Sequence, residues 1–192
     1  MDKILQVAKV LFCEHGFDGT SVRDITSSLN ITPGALYAHF KSKQELLFAL
    51  LSNIWDDFID CIQEAINNHR YDSVESQLYN VYAFYVNYDR QAHCNSKLLL
   101  RNFMFPPYNL KEKINHISTE KYSQVIEKVK PILITGIKQD ILKDYDLDKH
   151  IDLFNTLIKS LAIDIISSNG TQSLEYFNKY WNPYWKEVTK NY

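Results

Sequence analysis

The chain has 192 residues, of which 45% are hydrophobic and 23% are charged, and its formal net charge is −2. This apolar content supports a substantial buried core and excludes a disordered chain. The net charge excludes a general attraction of the whole molecule to nucleic acid, so DNA binding would have to depend on a local basic cluster. Glycine and proline are scarce, at five residues each, which favours long helices over a sandwich or a barrel.

Targeting signals and cysteines further limit the possible location and chemistry of the protein. No secretory leader and no uninterrupted apolar stretch of membrane-spanning length is visible, which predicts a cytoplasmic protein without membrane contact. Cys13, Cys61 and Cys94 are far apart and form no C-x-x-C pair, so neither a disulfide framework nor a metal site is predicted, and no cofactor is expected. Burial is the expected role of these cysteines, with a redox switch as the alternative.

The first helix is predicted from Asp2 to His15, because its apolar residues recur at intervals of three and four and Gly16 follows. A second helix is predicted from Ser21 to Leu29. Ser21 can cap it together with Asp24, and Asn30 can end it because asparagine tolerates a positive φ.

Thr32 and Pro33 predict the start of a third helix, which ends near Phe40 with Ala35, Leu36 and Phe40 facing inward. The pattern S-x-x-E at Ser42 then opens a long helix that reaches about residue 69. The N-H groups at this start, beside Lys41 and Lys43, would suit a phosphate. Two short helices joined by a tight turn, with small and polar residues on the second, predict a helix-turn-helix that enters a DNA major groove. The alternative is a compact helical hairpin within an all-α core.

The remaining chain predicts five more helices. They begin at Asp72 or Ser73, at about Gln91, at Leu110, at Asp146 or Asp148, and at Ser173. The predicted fold is therefore all-α with about nine helices in total.

The segments ILQVAKVLFCEHGFDG and TSVRDI…LNITPGALYAHFKSKQELL, with L-Y-x-H-F-x-S-K-x-E-L at fixed spacing, closely resemble the DNA-binding segment of the TetR family of bacterial repressors. The resemblance implies an N-terminal three-helix helix-turn-helix domain over residues 1–46. It also implies a larger C-terminal helical domain over residues 47–192, for ligand binding and dimerisation. The family usually has glycine at the position of Asn30 and alanine at the position of Thr26.

The same resemblance implies a set of DNA contacts. Tyr37 and Lys43 would be the main phosphate contacts, assisted by His39, Ser21 and Arg23. The residues nearest the base edges would be Thr32, Pro33, Gly34 and Ala38. The alternatives are a packed aromatic side chain for Tyr37 and a structural hydrogen bond for His39.

An effector cavity in the second domain is also implied by the resemblance. The sequence offers an apolar lining from Trp55, Tyr82, Tyr85, Tyr88, Phe103 and Phe105, and polar contacts from His93, Lys97, Arg101 and Asn102. Asp164 falls on an apolar helix face, where a carboxylate needs a partner. That partner would be a cationic ligand, an Arg or Lys across a dimer, or solvent at an edge.

The last two helices carry more apolar surface than one domain needs, which predicts a homodimer interface or, alternatively, an ordinary core. The interface residues would be Phe154, Leu157, Leu161, Ile165, Phe177, Trp181, Tyr184 and Trp185. The predicted protein is a ligand-responsive repressor that binds a palindromic operator as a dimer and is released by a small lipophilic or aromatic effector. No enzyme motif such as G-x-S-x-G or H-E-x-x-H is present, and the alternative is a non-enzymatic helical adaptor.

Overall fold

A computed structural model describes residues 2–91, 93–167 and 173–190, without the side chains at 89–91, 93, 162 and 165–167. Within these residues the chain forms nine α-helices, one 3-10 turn and no strand, which confirms the all-α prediction. The helices are α1 Asp2–His15, α2 Val22–Leu29, α3 Pro33–Tyr37, α4 Lys43–Asn68, α5 Val74–Gln91, α6 His93–Met104, α7 Lys111–Lys138, α8 Leu147–Ser167 and α9 Leu174–Val188. The 3-10 turn is Tyr108–Leu110.

The described residues fall into two compact units. The first unit comprises Met1–Phe58 and Cys94–Lys121, and the second comprises Ile59–His93 and Tyr122–Tyr192. Helices α4 and α7 contribute residues to both. This division follows packing, whereas the predicted boundary at residue 46 is a functional one and stays a prediction. No helix among the described residues has both the length and the apolar character needed to cross a bilayer.

The first unit is built around one buried apolar cluster to which α1, α2, α3, α4 and α6 all contribute. Phe12, Ile25 and Leu36 are at most 1% exposed, and Leu46 and Leu98 complete the centre. Burying a side chain of this size contributes about 1.5–3 kcal/mol. The two short helices, which could not persist alone, are therefore stabilised by the rest of the unit.

The turn between α2 and α3 has the geometry that the sequence predicts. Asn30 adopts a left-handed conformation, with φ 53° and ψ 44°. Its N-H donates to the carbonyl of Ser27 at 3.1 Å, and the N-H of Ile31 donates to that of Thr26 at 3.0 Å. On α3, Leu36 is buried as predicted. Ala35 is exposed instead, because a helix of five residues offers only one narrow face to the core.

The core of the second unit is aromatic, and α5, α8 and α9 supply most of it. The rings of Trp181 and Trp185 stack at 5.7 Å, and the hydroxyl of Tyr82 donates to the carbonyl of Phe177. The C-terminal end of α9 is joined to the segment before α8, because the N-H of Lys143 donates to the carbonyl of Val188 at 2.8 Å. The buried side chains of α9, from Phe177 to Val188, anchor this helix in the core.

Burial corrects the predicted dimer interface. Seven of the eight predicted side chains are between 0% and 7% exposed in the single chain, and that of the eighth, Ile165, lies outside the described residues. The seven are Phe154, Leu157, Leu161, Phe177, Trp181, Tyr184 and Trp185. They form the core of the second unit, which is the alternative stated above. The single chain already buries these side chains, so it leaves almost none of their surface for a second chain.

Candidate nucleic-acid interface

The surface of α3 in the first unit consists of small and polar residues. The side chain of Thr32 caps the helix by accepting the N-H of Ala35 at 3.3 Å. Thr32, Pro33, Gly34 and Ala38, the four residues predicted to lie near base edges, are all exposed. A Cβ built on Gly34 would meet nothing closer than the Thr32 hydroxyl, at 3.8 Å. Within this unit, a partner surface can therefore approach the α3 backbone closely.

Tyr37 and His39 project beside that face. Tyr37 is 48% exposed, which argues against the packed-aromatic alternative, and His39 is also exposed. The backbone N-H of His39 donates to the carbonyl of Leu36 at 3.0 Å. Both side chains are placed where a DNA backbone beside α3 could accept or donate a hydrogen bond.

The start of α2 is closed by a reciprocal pair of hydrogen bonds. The N-H of Ser21 donates to the Asp24 carboxylate at 2.7 Å, and the N-H of Asp24 donates to the Ser21 hydroxyl at 3.2 Å. The backbone N-H of Ser21, assisted by its hydroxyl, lowers the pKa of Asp24. Ser21 is thus engaged within its own helix start, whereas Arg23 is exposed beside it.

The start of α4 differs from the expectation of N-H groups that would suit a phosphate. The Ser42 hydroxyl accepts the N-H of Glu45 at 3.1 Å, as the S-x-x-E pattern predicts. The Glu45 carboxylate, however, accepts the N-H of Lys41 at 2.6 Å. A carboxylate therefore already engages one backbone N-H beside this helix start, that of Lys41, because Glu45 can reach back toward it.

Lys43 has a role that the sequence did not reveal. Its ammonium group donates to the carbonyl of Phe17 at 2.7 Å and to that of Thr20 at 2.9 Å, and it lies 4.1 Å from the centre of the Phe17 ring. The Thr20 hydroxyl donates in turn to the carbonyl of Gly16 at 2.8 Å. Lys43 therefore fixes the loop between α1 and α2, residues 16–21. At most one of its N-H groups is left for a phosphate.

A cavity of about 310 Å³ lies beside this loop, within the first unit. The loop residues Gly16 to Gly19 form one side, and Arg101, Asn102, Phe105 and Tyr108 form another. Gly16 has a φ of +76°, and a Cβ built on it would come within 2.3 Å of the Arg101 guanidinium. The positive φ favours glycine at this position, and a larger residue would also displace the guanidinium end of the Arg101 side chain. The cavity gathers three of the predicted effector residues.

The other predicted effector residues do not join them. In the first unit, Trp55 packs edge-on against Phe58, with their ring centres 5.7 Å apart, whereas Lys97 and Phe103 are exposed. Tyr82 and Tyr88 are buried in the second unit, where burial also raises the pKa of Tyr85. The side chain of His93 lies outside the described residues. The predicted set is therefore divided between the two units.

Asp164 has partners that none of the predicted alternatives included. The ammonium of Lys179 lies 3.0 Å from its carboxylate, and the hydroxyl of Tyr180 donates to it, also at 3.0 Å. The hydrogen bond from Lys179 lowers the pKa of Asp164, and that from Tyr180 adds to the effect. Because α9 of the same chain supplies both partners, Asp164 needs no ligand to compensate its charge.

Comparison with known proteins identifies the N-terminal segment. Residues 4–50 match the family model described as bacterial regulatory proteins, tetR family. The chain is 29% identical over 145 residues to the biofilm operon icaADBC HTH-type negative transcriptional regulator IcaR of Staphylococcus epidermidis, covering 73% of this chain and 75% of that protein. It is 42% identical over 59 residues to the HTH-type transcriptional repressor KstR2 of Mycolicibacterium smegmatis, but this match spans only 27% of that protein.

Solved structures share the fold over nearly the whole chain. The transcriptional regulator FadR of Bacillus subtilis, in complex with stearoyl-CoA, superposes with a TM-score of 0.80 at 17% identity, covering 97% of this chain and 98% of that one. The ketosteroid regulator KstR2 of Mycobacterium tuberculosis superposes with a TM-score of 0.68 at 20% identity, covering 99% and 95%. The family match shows that the N-terminal segment, residues 4–50, belongs to the TetR family of bacterial regulatory proteins, and the described chain shares its fold with solved regulators.

Proposed function

We propose that the protein is a transcriptional repressor that binds a palindromic DNA operator as a homodimer and is released by a small-molecule effector. The observation that carries the proposal is the exposed face of α3, where small residues stand beside the half-exposed ring of Tyr37. A recognition helix needs such a face to enter a major groove. A negative regulator, IcaR, is among the relatives that align over most of the chain.

The contacts divide by role. Thr32, Pro33, Gly34 and Ala38 would lie against base edges and set sequence preference. Tyr37, His39 and Arg23 would contact phosphates and set affinity. Ser21 and Lys43 would assist mainly through structure, since one closes the start of α2 and the other fixes the α1–α2 loop.

The experiment is selection of bound duplexes from a random DNA pool, repeated at two salt concentrations. We expect a palindromic site whose affinity falls steeply with salt, because the phosphate contacts displace counterions. Tyr37→Phe should weaken binding to the selected site about a hundredfold, because the homodimer loses two hydrogen bonds to charged groups, one from each subunit, at about tenfold each. The matched control is Tyr71→Phe, since Tyr71 is 88% exposed and lies outside the helix-turn-helix. Failure to enrich any sequence at either salt would favour the helical adaptor.

The proposed effector site is the cavity beside the α1–α2 loop. Arg101 supplies a cationic group, and Phe105 and Tyr108 supply aromatic surface. This lining suits a lipophilic or aromatic molecule with an acidic group. FadR, which has the same fold, was solved with stearoyl-CoA, an anionic amphiphile. A ligand in this cavity would press on the loop that Lys43 fixes, and so on the start of α2.

The effector proposal is tested by a panel of long-chain and aromatic carboxylic acids, with displacement of labelled operator as the readout. Arg101→Ala should abolish the response while the operator affinity without ligand stays within about threefold. Lys97→Ala is the matched control, because Lys97 is a basic residue one turn away on α6 and does not line the cavity. A response that survives Arg101→Ala would place the effector elsewhere.

The proposed dimer uses the outward faces of α8 and α9, because their inner faces are buried in the second unit. Ile163 is 55% exposed and Tyr176 is 38% exposed on these outward faces. Sedimentation equilibrium measures the assembly directly. Ile163→Lys should weaken the dimer without unfolding the chain, whereas an unchanged dimer would exclude this face.

A further inference from the structure

Helices α1 and α6 lie side by side within the first unit. Three successive positions on α6 contact α1 or the glycine that follows it, in the same order along both segments. The Cys94 sulfur lies 3.8 Å from the carbonyl oxygen of Lys9. Leu98 is buried in the same cluster as α1, and Arg101 reaches Gly16. The step from Cys94 to Arg101 equals the step from Lys9 to Gly16, at seven residues each. The two helices thus run in the same direction with matched spacing.

This packing brings two thiols to one turn of α1. In a regular α-helix the N-H of Cys13 donates to the carbonyl of Lys9, which is the oxygen that Cys94 contacts. The side chain of Cys13 also leans toward the N-terminal end of its helix, over that same turn. Burial and a hydrogen bond to the Cys13 sulfur raise the pKa of Cys94 to about 12. The two sulfur atoms are therefore neighbours, although neither cysteine forms a disulfide in the structure.

We propose that Cys13 and Cys94 are a reversible redox pair, which peroxide-type oxidants convert to an intramolecular disulfide that ties α1 to α6. Cys94 is half-buried, so a molecule as small as hydrogen peroxide can reach the pair, whereas Cys13 is only 6% exposed. The bond would fix α6 against the helix that supports the helix-turn-helix. This property does not depend on DNA binding or on the effector.

The reaction balances with hydrogen peroxide as the two-electron oxidant. One thiol is oxidised to a sulfenic acid as the O-O bond breaks and one water is released. The second sulfur then attacks the first, the S-S bond forms, the S-O bond breaks, and hydroxide takes up the remaining thiol proton as a second water. Each sulfur loses one electron. Because Cys94 keeps its proton at neutral pH, the reaction should be slow there and faster at higher pH.

The experiment treats the full chain with hydrogen peroxide, blocks the remaining thiols with iodoacetamide, and digests with trypsin without reduction. Trypsin separates the cysteines, since Cys13 falls in residues 10–23, Cys61 in 44–70 and Cys94 in 91–97. We expect one linked species joining 10–23 to 91–97, an alkylated Cys61, and an upward shift in melting temperature that dithiothreitol reverses. Cys61 belongs to the second unit and serves as an internal control.

Two variants distinguish a specific Cys13–Cys94 disulfide from general oxidation of the cysteines. Cys61→Ser should keep the linked species and the thermal shift, whereas Cys94→Ser should lose both while remaining folded, because Cys94 is only partly buried. Full alkylation of Cys13 and Cys94 after peroxide treatment would overturn the proposal. So would a link involving Cys61, or oxidation of Cys13 to a sulfinic acid without any link. The mapping uses the wild-type chain, so it remains decisive even if a variant fails to fold.

Discussion

At the scale of single residues, Lys43 contributes to folding as well as to any DNA contact. Its ammonium group joins two loop carbonyls that lie 23 and 26 positions away in the chain. Lys43→Met keeps the aliphatic stem and removes both hydrogen bonds. Hydrogen bonds from a charged donor are each worth about 1.5–3 kcal/mol, so the loss of two should lower the free energy of unfolding, measured in urea, by about 3 kcal/mol.

Lys41→Met is the matched control for this prediction, because Lys41 is an exposed lysine next to the same helix start. Its free energy of unfolding should change by less than about 0.5 kcal/mol. If Lys43→Met were as stable as the wild type and lost only operator binding, the main role of Lys43 would be the phosphate contact that the family resemblance implies.

Asn30 provides a second test at this scale, because its left-handed conformation disfavours most side chains. Asn30→Ala should destabilise the chain by about 1 kcal/mol, since alanine lacks the local hydrogen bonding that helps asparagine there. Asn30→Gly should stay within about 0.5 kcal/mol of the wild type, because glycine adopts this conformation without strain. Urea denaturation measures both. Equal effects of alanine and glycine would mean that the conformation of this residue does not determine the stability of the turn.

At the scale of a secondary-structure element, the start of α2 should respond to acid. The pKa of Asp24 is lowered from its ordinary value of 3.8, so its hydrogen bonds stabilise the fold fully above that value. This stabilisation is lost as the pH falls through the lowered pKa of the folded state. The melting temperature of Asp24→Asn should therefore lie below that of the wild type at pH 7, and the difference should shrink in acid. A difference that stays constant down to pH 3 would contradict this account.

At the scale of the whole molecule, a substitution of Trp181 tests whether α9 lies in the core of one chain or in an interface between two chains. It is 4% exposed, stacks on Trp185, and meets Tyr79 edge-on with ring centres 5.1 Å apart. Trp181→Ala should cost about 3–5 kcal/mol in the free energy of unfolding, as is usual for a buried tryptophan. The measurement is urea unfolding at several protein concentrations. A variant that dissociates but stays folded would restore the interface assignment.

Those parts of the fold that depend on neighbouring residues could be predicted from the sequence. The Ser21–Asp24 pair, the left-handed Asn30 and the cap at Thr32 each involve residues within four positions, and the structure confirms all three. The partners of Lys43 and the approach of Arg101 to Gly16 depend on packing between distant segments, and no local pattern reveals them. For α8 and α9, the apolar pattern correctly predicted that these side chains are buried. It could not show whether helices of the same chain or a second chain bury them.

In the helix-turn-helix segment, the starts of α2 and α4 each carry a carboxylate next to basic residues, that of Asp24 and that of Glu45. Through residue 50 the five lysines and arginines are matched by five aspartates and glutamates. A DNA-binding segment without excess positive charge should bind non-specific DNA weakly, so that few molecules are held on the many irrelevant sites of a chromosome. If the protein is the repressor proposed above, a small number of copies would keep an operator occupied, and a small amount of effector would suffice to change expression.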